Sequence, residues 1–348
     1  MLNKGVNTLA NEIGIDLGSS KTVIYSDSKI LLEAPSVVTV DAETYTPVYF
    51  GEKAKQTLGR TPDTLECIHP IQHGLIADYD IAEAMLKNYM EMVFGKNVIR
   101  PKVVATLPTG LTELQHHSLS NVVESAGGRS VTVVEAPIAL AIELGVDFTI
   151  PQGSMIVDIG AGTTDIAVLS LGGVVSCDSF KIASYDFDDI IKNHVRRKRN
   201  IAIGALTAEN IKMQIGSVSP RSIEITAIAK GRNLFSGLPE AFEVTSGEIY
   251  KKLNESALSI CNAIRKVLEN TEPDLVADIK AKGLFLVGGG SKIFGMADLI
   301  ANYTGIEVIT VSDPEHCLVK GAAKALSVPG LLKNINYQAR SIKELEIH

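Results

Sequence analysis

The stretch Ile15-Asp16-Leu17-Gly18-Ser19-Ser20-Lys21-Thr22 is matched later in the chain by Val157-Asp158-Ile159-Gly160-Ala161-Gly162-Thr163-Thr164. Both stretches have an apolar residue followed by the pattern D-x-G-x-x-x-T, and each lies between two apolar runs. Each therefore predicts a β-hairpin with a turn of small residues and an aspartate at the end of the incoming strand. The repeat predicts two related halves of an α/β protein.

The two predicted turns have the chemistry of a phosphate-binding site. Their exposed backbone N–H groups and hydroxyls are suited to phosphate oxygens, and this set consists of Gly18, Ser19, Ser20, Gly160, Gly162, Thr163 and Thr164. Asp16 and Asp158 would repel a phosphate unless a cation lay between them. Mg²⁺ fits, because it keeps most of its waters and tolerates one or two carboxylates together with phosphate oxygens. The alternative is a simple hairpin with an Asx-type turn, which explains one copy better than two.

A third glycine-rich segment, Gly288-Gly289-Gly290-Ser291, follows the predicted strand 284–287 and precedes a helical pattern that ends at Gly305. It places backbone amides and a helix N-terminus where a nucleotide could lie against glycine. A strand-to-helix turn of this kind is common, so the segment gains meaning only in combination with the two hairpins.

The rest of the chain alternates short apolar runs with helical patterns. Two of the helical patterns begin with a predicted capping box, Thr112-x-x-Gln115 and Thr245-x-x-Glu248. Buried strands are predicted at 103–107 and 155–157 as well as at 284–287.

The composition restricts the class of protein. Of the 348 residues 45% are hydrophobic, which is too many for a disordered chain. The formal net charge of −7 argues against a nucleic-acid-binding protein that relies on a basic surface. The four cysteines form no C-x-x-C pair, so neither a disulfide scaffold nor a zinc site is indicated. We expect a cytoplasmic protein, because no apolar stretch approaches the roughly 18 residues of a membrane span and the first residues are not a secretory signal.

The order of the three motifs is similar to that of the actin, sugar-kinase and Hsp70 ATPase superfamily. More narrowly, the chain resembles the MreB family of bacterial actins from about residue 12 to about residue 328. The segments that carry this resemblance are Gly59-Arg60-Thr61-Pro62, Pro70-x-x-x-Gly74-Leu75-Ile76-Ala77-Asp78, Gly153-Ser154-Met155-Ile156-Val157-Asp158-Ile159-Gly160 and Gly231-Arg232-Asn233-Leu234.

The resemblance implies an actin-like two-lobed α/β fold, in which two related ribonuclease-H-like halves carry inserted small subdomains. ATP or ADP with Mg²⁺ would bind in the cleft between the lobes. The implied boundaries are subdomain IA at 1–32, 75–144 and 319–348, IB at 33–74, IIA at 145–181 and 245–318, and IIB at 182–244.

Site residues follow from the resemblance position by position. Asp16 and Asp158 would serve the metal through water, and the glycines and hydroxyls of both turns would hold phosphates. Glu209 and Lys212 match the helix that contacts the ribose and base, although an exposed helical ion pair is the alternative for these two. The residues that match the adenosine segment are Gly288, Gly289, Gly290 and Ser291.

The sequence departs from the family before a proline at the hinge between the lobes. Two adjacent glutamates are usual there, and the second helps to position the attacking water. This chain has Glu135-Ala136-Pro137, so Ala136 stands where that carboxylate belongs. We expect ATP to bind normally and to be hydrolysed slowly, with Asp158 at the metal and Thr164 or Thr163 as the remaining contact to water. The loss of such a carboxylate typically costs roughly 10²–10⁴-fold in rate.

Two further departures concern the turns. Lys21 replaces a common asparagine and could reach a phosphate as a point charge, or could be a solvated turn lysine. Ala183-Ser184-Tyr185 stands where the family usually has a smaller Gly-Gly-Asp-like turn, and the bulkier residues could change how the lobes close on the nucleotide.

The resemblance also implies partners. Family members polymerise into double antiparallel filaments and lie on membranes, so we expect self-association into a homopolymer. Val98-Ile99, between Lys96 and Arg100, is the candidate contact to an anionic membrane, or is simply the start of the strand that leads to Val103. The basic run 196–199 is a solvated helix end or, alternatively, a site for an acidic lipid or partner. No nucleic acid is expected.

Several functions compete. The first is a cytoskeletal ATP-binding protein for cell shape with slow ATPase activity. The main alternative is a nucleotide-gated scaffold with almost no hydrolysis, of the kind that wall-less motile bacteria use for helicity and swimming. A small-molecule kinase would need a base aspartate in a substrate pocket, and the sequence offers no separate candidate. An Hsp70-like chaperone would need a substrate-binding domain, for which a chain ending at His348 leaves no room.

Overall fold

A computed structural model describes residues 12–26, 28–95 and 100–327. Its strands are β1 (Glu12–Leu17), β2 (Lys21–Ser26), β3 (Lys29–Pro35), β4 (Val38–Asp41), β5 (Pro47–Phe50), β6 (Leu65–Ile68), β7 (Ile71–Gln72), β8 (Leu75–Ile76), β9 (Lys102–Leu107), β10 (Ser130–Glu135), β11 (Ser154–Ile159), β12 (Thr164–Ser170), β13 (Gly173–Phe180), β14 (Ile201–Ala202), β15 (Thr226–Asn233), β16 (Pro239–Thr245), β17 (Leu284–Val287) and β18 (Val308–Thr310). Its helices are α1 (Glu52–Thr57), α2 (Tyr79–Phe94), α3 (Glu113–Ser125), α4 (Ala136–Leu144), α5 (Ser184–Arg199), α6 (Ala205–Ile215), α7 (Ser246–Glu269), α8 (Pro273–Lys282), α9 (Met296–Thr304) and α10 (Cys317–Ser327), with a 3-10 turn at Gly289–Lys292.

The chain forms two compact units. Unit 1 comprises the described residues up to Lys55, the segment Glu66–Gly145 and the described residues from Leu318 onward. Unit 2 comprises Gln56–Leu65 and Val146–Cys317. The division into four subdomains is finer than these units and stays a prediction.

Each unit is built on a five-stranded sheet with the same plan. The strand order is β10-β9-β1-β2-β3 in unit 1 and β18-β17-β11-β12-β13 in unit 2. In both sheets the incoming hairpin strand, β1 or β11, lies in the middle. It pairs antiparallel with its hairpin partner and parallel with the strand on its other side. The prediction of two related α/β halves is therefore confirmed.

The central strands have apolar side chains because consecutive residues, which point to opposite faces of the sheet, are buried. In β1, Ile13 and Ile15 are completely buried, and in β11, Met155 and Val157 are as well. Each unit has its own apolar core around its sheet. These cores fix the strands at whose ends Asp16 and Asp158 lie.

Helix α10 packs unusually close to its neighbours in unit 1. A Cβ on Gly14 in β1 would lie 2.7 Å from the backbone nitrogen of Ala323, and a Cβ on Gly321 would overlap the carbonyl oxygen of Ala139 in α4. The glycines thus allow backbone-to-backbone contact, which holds the strand leading to Asp16 in place.

The two predicted capping boxes differ in outcome. At α3 the box is complete, since the backbone nitrogen of Thr112 donates to Gln115 Oε1 at 2.9 Å and that of Gln115 donates back to the Thr112 hydroxyl at 3.4 Å. At α7 only half forms. Thr245 Oγ1 accepts from the backbone nitrogen of Glu248 at 3.3 Å, but the Glu248 carboxylate binds Arg199 instead of returning to the cap. Among the described residues, no helix is long and apolar enough to cross a membrane.

Candidate functional site

The first turn, between β1 and β2, is closed by a bond from the backbone nitrogen of Gly18 to the carbonyl oxygen of Lys21 at 3.1 Å. Ser19 is buried, and its hydroxyl accepts a hydrogen bond from the backbone nitrogen of Gly74 at 3.0 Å. The carbonyl oxygen of Ser20 accepts from the backbone nitrogen of Ser36 at 2.9 Å. The turn is therefore fixed by two neighbouring segments of unit 1.

The second turn, between β11 and β12, is closed in the same way. The backbone nitrogen of Gly160 donates to the carbonyl oxygen of Thr163 at 2.9 Å. The Thr164 side chain is completely buried, and its hydroxyl donates to the carbonyl oxygen of Ile182 at 2.8 Å. The Thr163 hydroxyl donates to Asp165 Oδ2 at 2.9 Å, which leaves the oxygen of Thr163 able to accept a further bond.

The glycine-rich segment packs directly beside the second turn within unit 2. Strand β17 pairs with β11 so that Val287 lies opposite Asp158. Gly288 has a φ of +84°, and a Cβ there would overlap Asp158 Oδ1, so only glycine leaves room for this carboxylate. A Cβ on Gly290 would lie 2.9 Å from the carbonyl oxygen of Ile159, and the Ser291 hydroxyl caps the segment by donating to the carbonyl oxygen of Gly288 at 2.6 Å. The structure thus brings the second and third motifs together.

Asp165 is a residue of this site that the sequence reasoning missed. It lies directly opposite Asp158 across the β11–β12 pair, so the two carboxylates share one face of the sheet. Burial raises the pKa of Asp165, while hydrogen bonds from Ser179 and Thr163 lower it less. Its buried Oδ1 has no hydrogen-bond partner in the described part of the chain. The signal was an asymmetry in the repeat, because the first copy has Val23 where the second has this aspartate.

Lys212 on α6 is held by α5 and not by an exposed pair on its own helix. Its Nζ donates to Asp188 Oδ2 at 2.8 Å, to the Ser184 hydroxyl at 2.7 Å and to the Ser184 carbonyl oxygen at 3.0 Å. Burial raises the pKa of Asp188 to about 6 despite the opposing charge of Lys212. Glu209, one turn earlier on α6, is near enough to Asp188 to raise that pKa further.

The start of α5 is also tied to the second turn. The backbone nitrogen of Ser184 donates to the carbonyl oxygen of Gly160 at 3.2 Å, and that of Tyr185 donates to the carbonyl oxygen of Ala161 at 2.9 Å. Ala183 is completely buried. The bulkier segment 183–185 therefore positions the turn through its backbone, and Ser184 connects Lys212 to it.

Ala136 is buried as the first residue of α4, and Pro137 follows it in the first turn of the helix. The preceding Glu135 occupies the N-cap position without a side-chain cap bond, and burial raises the pKa of its carboxyl group. In the segment Glu135-Ala136-Pro137 the carboxylate thus belongs to Glu135, and the position next to Pro137 has none.

The remaining sequence candidates lie elsewhere. Lys21 Nζ forms an ion pair with Glu33 Oε1 at 2.5 Å. The basic run 196–199 does not act as one group, because Lys198 and Arg199 bind the buried carboxylate of Glu248. Val98 and Ile99 lie outside the described residues.

Two units with one strand plan, each carrying an Asp-x-Gly turn, define the actin-like fold class. The family model of the MreB/Mbl protein matches residues 10–334. The chain belongs to this family, which confirms the resemblance seen in its motifs.

Individual relatives agree. The cell shape-determining protein MreB of Escherichia coli (strain K12) is 38% identical over 339 residues, which cover 94% of this chain and 96% of that protein. The cell shape-determining protein Mbl of Bacillus cereus is 38% identical over 314 residues, covering 90% and 94%.

Solved structures give the same result. MreB 5 of Spiroplasma citri bound to AMPPNP has a TM-score of 0.86 at 31% identity and covers 93% of this chain and 97% of that chain. The MamK double helical filament has a TM-score of 0.74 at 21% identity, covers 91% and 98%, and supports the fold alone. The predicted actin-like fold is confirmed.

Proposed function

We propose that the chain is an actin-like cytoskeletal protein that binds ATP or ADP with Mg²⁺ and polymerises into filaments that determine cell shape. The observation that carries the proposal is the pair of Asp-x-Gly turns with matching closure, from Gly18 to Lys21 and from Gly160 to Thr163. Support comes from family membership, from relatives named for cell shape, and from neighbours solved with AMPPNP and with ADP.

The residues present fit a nucleotide phosphate chain with a hydrated cation. Phosphates would be held by backbone amides and hydroxyls of both turns, and the adenosine by the segment 288–291 together with Glu209 and Lys212. Gly288 leaves space for Asp158 Oδ1, so that carboxylate lies beside the second turn. Asp16 and Asp158 would hold Mg²⁺ through water, where the ion neutralises phosphate charge.

Hydrolysis is proposed to be slow. The Thr164 side chain is completely buried, and its hydroxyl donates to the Ile182 carbonyl oxygen, so Thr164 is a poor contact for water. Thr163 is better placed, because it is only half-buried and its oxygen can accept a hydrogen bond from water while its hydrogen goes to Asp165. Without a carboxylate at Ala136, no group at that position removes the proton from the attacking water.

Sedimentation tests the function directly. The full chain is centrifuged with Mg-ATP, with Mg-ADP and without nucleotide, while phosphate release is followed in parallel. We expect a pellet that depends on nucleotide and a phosphate release that is slow relative to assembly. Asp158→Asn should abolish the nucleotide dependence, whereas the control Asp274→Asn, at an exposed aspartate in the first turn of α8, should not. An equal amount of pelleted protein with Mg-ATP, with Mg-ADP and without nucleotide would refute the proposal.

A nucleotide-gated scaffold with almost no ATPase activity is the second candidate, and Ala136 is the observation that favours it. In that case AMPPNP supports assembly as well as ATP does, and phosphate release stays at background. Double antiparallel filament geometry, a cytoplasmic location and the Val98–Ile99 membrane contact remain predictions. The last requires that replacing both residues by serine lowers liposome pelleting.

A further inference from the structure

The ammonium group of Lys212 uses all of its hydrogens on α5. It carries three, and Nζ donates to the Ser184 carbonyl oxygen at 3.0 Å, to the Ser184 hydroxyl at 2.7 Å and to Asp188 Oδ2 at 2.8 Å. All three acceptors lie at the start of α5. A contact between Lys212 and adenosine would therefore be made by the aliphatic stem of the lysine, while its charged end serves α5.

This link between α5 and α6 is charged and largely buried. The side chains of Lys212 and Asp188 are 13% and 9% exposed. Hydrogen bonds to charged groups contribute more than neutral ones, and removal of one partner from a buried ion pair is costly. Lys212 thus ties α6 firmly to the first residue of α5, Ser184.

The start of α5 in turn holds the second turn by its main chain. The backbone nitrogen of Ser184 donates to the carbonyl oxygen of Gly160 at 3.2 Å, and that of Tyr185 donates to the carbonyl oxygen of Ala161 at 2.9 Å. A planar trans peptide has its C=O and its N–H on opposite sides. Because both carbonyl groups are directed at α5, the N–H groups that follow them, those of Ala161 and Gly162, are directed away from α5.

Two successive amides directed to one side form the kind of concavity that holds an anion. The N–H of Gly160 is not part of it, since that group closes the turn on the carbonyl oxygen of Thr163. We propose that Lys212 is a positioning residue for phosphate binding: its ammonium group fixes the start of α5, which directs the amides of Ala161 and Gly162 at the phosphates of the nucleotide. This inference rests on the proposed function and deepens it, because Lys212 then serves the phosphate turn as well as the adenosine.

Hydrogen–deuterium exchange of the full chain without nucleotide tests the positioning step alone. Lys212→Met keeps an unbranched stem and removes the ammonium group. The amides of Ser184 and Tyr185 should exchange roughly 10-fold faster, because local opening no longer breaks hydrogen bonds to a charged group. The control Lys252→Met removes an ammonium group that pairs with Glu255 on α7, and it should leave this exchange unchanged. Unchanged exchange in Lys212→Met would overturn the proposal.

A series of ligands then tests what the positioning does for binding. Mg-ATP, Mg-ADP and adenosine are each measured by competition with a fluorescent ATP analogue. In Lys212→Met the affinity for Mg-ATP and Mg-ADP should fall roughly 10-fold and that for adenosine less than about 2-fold, because only the two nucleotides carry phosphates for the turn. An equal loss for all three ligands would place the role of Lys212 at the adenosine, and the proposal would be wrong.

Two variants of Ser184 distinguish positioning from direct contact, and both leave the ion pair of Lys212 with Asp188 in place. Ser184→Ala removes the hydroxyl acceptor, so the affinity for Mg-ATP should fall roughly 5-fold, the worth of about one hydrogen bond. Ser184→Thr keeps the hydroxyl and should retain the affinity. If the ammonium group instead binds a phosphate itself, loss of a competing acceptor in Ser184→Ala should leave the affinity unchanged or raise it, which contradicts the proposal.

The outcomes separate this inference from the proposed function. Binding of Mg-ATP by the native chain is required by the proposed function, and its absence would refute both. If the native chain binds Mg-ATP and both Lys212→Met and Ser184→Ala bind it equally well, only the role of Lys212 is wrong. If Lys212→Met does not fold, the comparison of Ser184→Ala with Ser184→Thr decides.

Discussion

The first and second turns have the same backbone but different surroundings. Gly18 and Gly160 close the two turns with hydrogen bonds of 3.1 and 2.9 Å. Around the first turn lie Ser36 and Gly74, which bind its main chain and one hydroxyl. Around the second lie a buried carboxylate, the glycine-rich segment and the start of α5. The motif thus determines the geometry of a turn, whereas its neighbours determine its chemistry.

The largest expected effect comes from restoring a carboxylate in unit 1. If slow hydrolysis is due to Ala136, Ala136→Glu should raise the rate of phosphate release by roughly 10²–10⁴-fold, because it supplies a group that orients water and accepts its proton. The measurement is phosphate release at saturating ATP.

Ala136→Gln is the matched control for that variant. The amide has nearly the same shape and no basic carboxylate, so it should give little of the gain. Equal rates for the glutamate and glutamine variants would show that the second turn, and not the missing carboxylate, limits hydrolysis.

The next largest effect is a loss of stability on substitution of Gly288, in the glycine-rich segment that packs beside the second turn only. Gly288→Ala should lower the free energy of unfolding by about 3 kcal/mol or more, since the new Cβ meets Asp158 and Ile159 and the φ of +84° is strained for alanine. Urea unfolding measures the loss.

Gly289→Ala serves as its control. A Cβ there meets only Glu315 Cβ, at 3.9 Å, so the change should stay below about 1 kcal/mol. If both alanine variants are equally stable, the second turn does not depend on close packing against this segment.

The backbone of both turns was predictable because D-x-G-x-x-x-T is a local signal between two strands. The capping box at Thr112 was predictable for the same reason. Glu248 has the same local pattern, but its carboxylate binds Arg199, which is 49 positions away in the sequence. No local pattern carries such a partner.

The candidate site follows the same rule: its local motifs could be predicted from the sequence, but the partners of its side chains could not. The glycine-rich segment and the two aspartates could be read as one kind of chemistry. The partners of Lys212, Ser184 and Asp188, lie on another helix and could not be predicted from the local sequence. The role of Asp165 depends on pairing between β11 and β12, and only its contrast with Val23 hinted at it. Tertiary neighbours decided these roles.

A smaller effect tests whether Asp165 makes the second turn different. Asp165→Val gives the second copy the residue of the first, so the Thr163 hydroxyl loses its acceptor. Nucleotide affinity should fall roughly 5-fold, the worth of about one hydrogen bond. Asp165→Asn keeps an acceptor oxygen and should retain most of the affinity, as measured by titration with a fluorescent ATP analogue. Equal losses would mean that Thr163 is not oriented in this way.

The pH dependence of stability provides a second measurement on these variants. A carboxyl group whose pKa is raised by folding binds its proton more tightly in the folded state. Its stabilising contribution is therefore present below its ordinary pKa of about 4 and is lost as the pH rises toward the raised value. Relative to both variants, the free energy of unfolding of the native chain should decrease above about pH 4. A parallel pH profile would contradict a carboxyl pKa that burial raises.

The smallest effect concerns Lys21 in the first turn, for which the sequence left two roles open. Its ion pair with Glu33 joins side chains that are 25% and 40% exposed, and such pairs contribute about 0–1 kcal/mol. If Lys21 acts only through contacts within the chain, Lys21→Gln and Glu33→Gln should each change stability by less than about 1 kcal/mol and leave nucleotide affinity unchanged. If Lys21 instead contacts a phosphate, Lys21→Gln should weaken affinity roughly 10-fold or more, while Glu33→Gln, which removes a competing carboxylate, should strengthen it. Opposite signs in the two variants would make the first turn chemically active through a charge, whereas the second turn is proposed to act through Asp158 and Thr163.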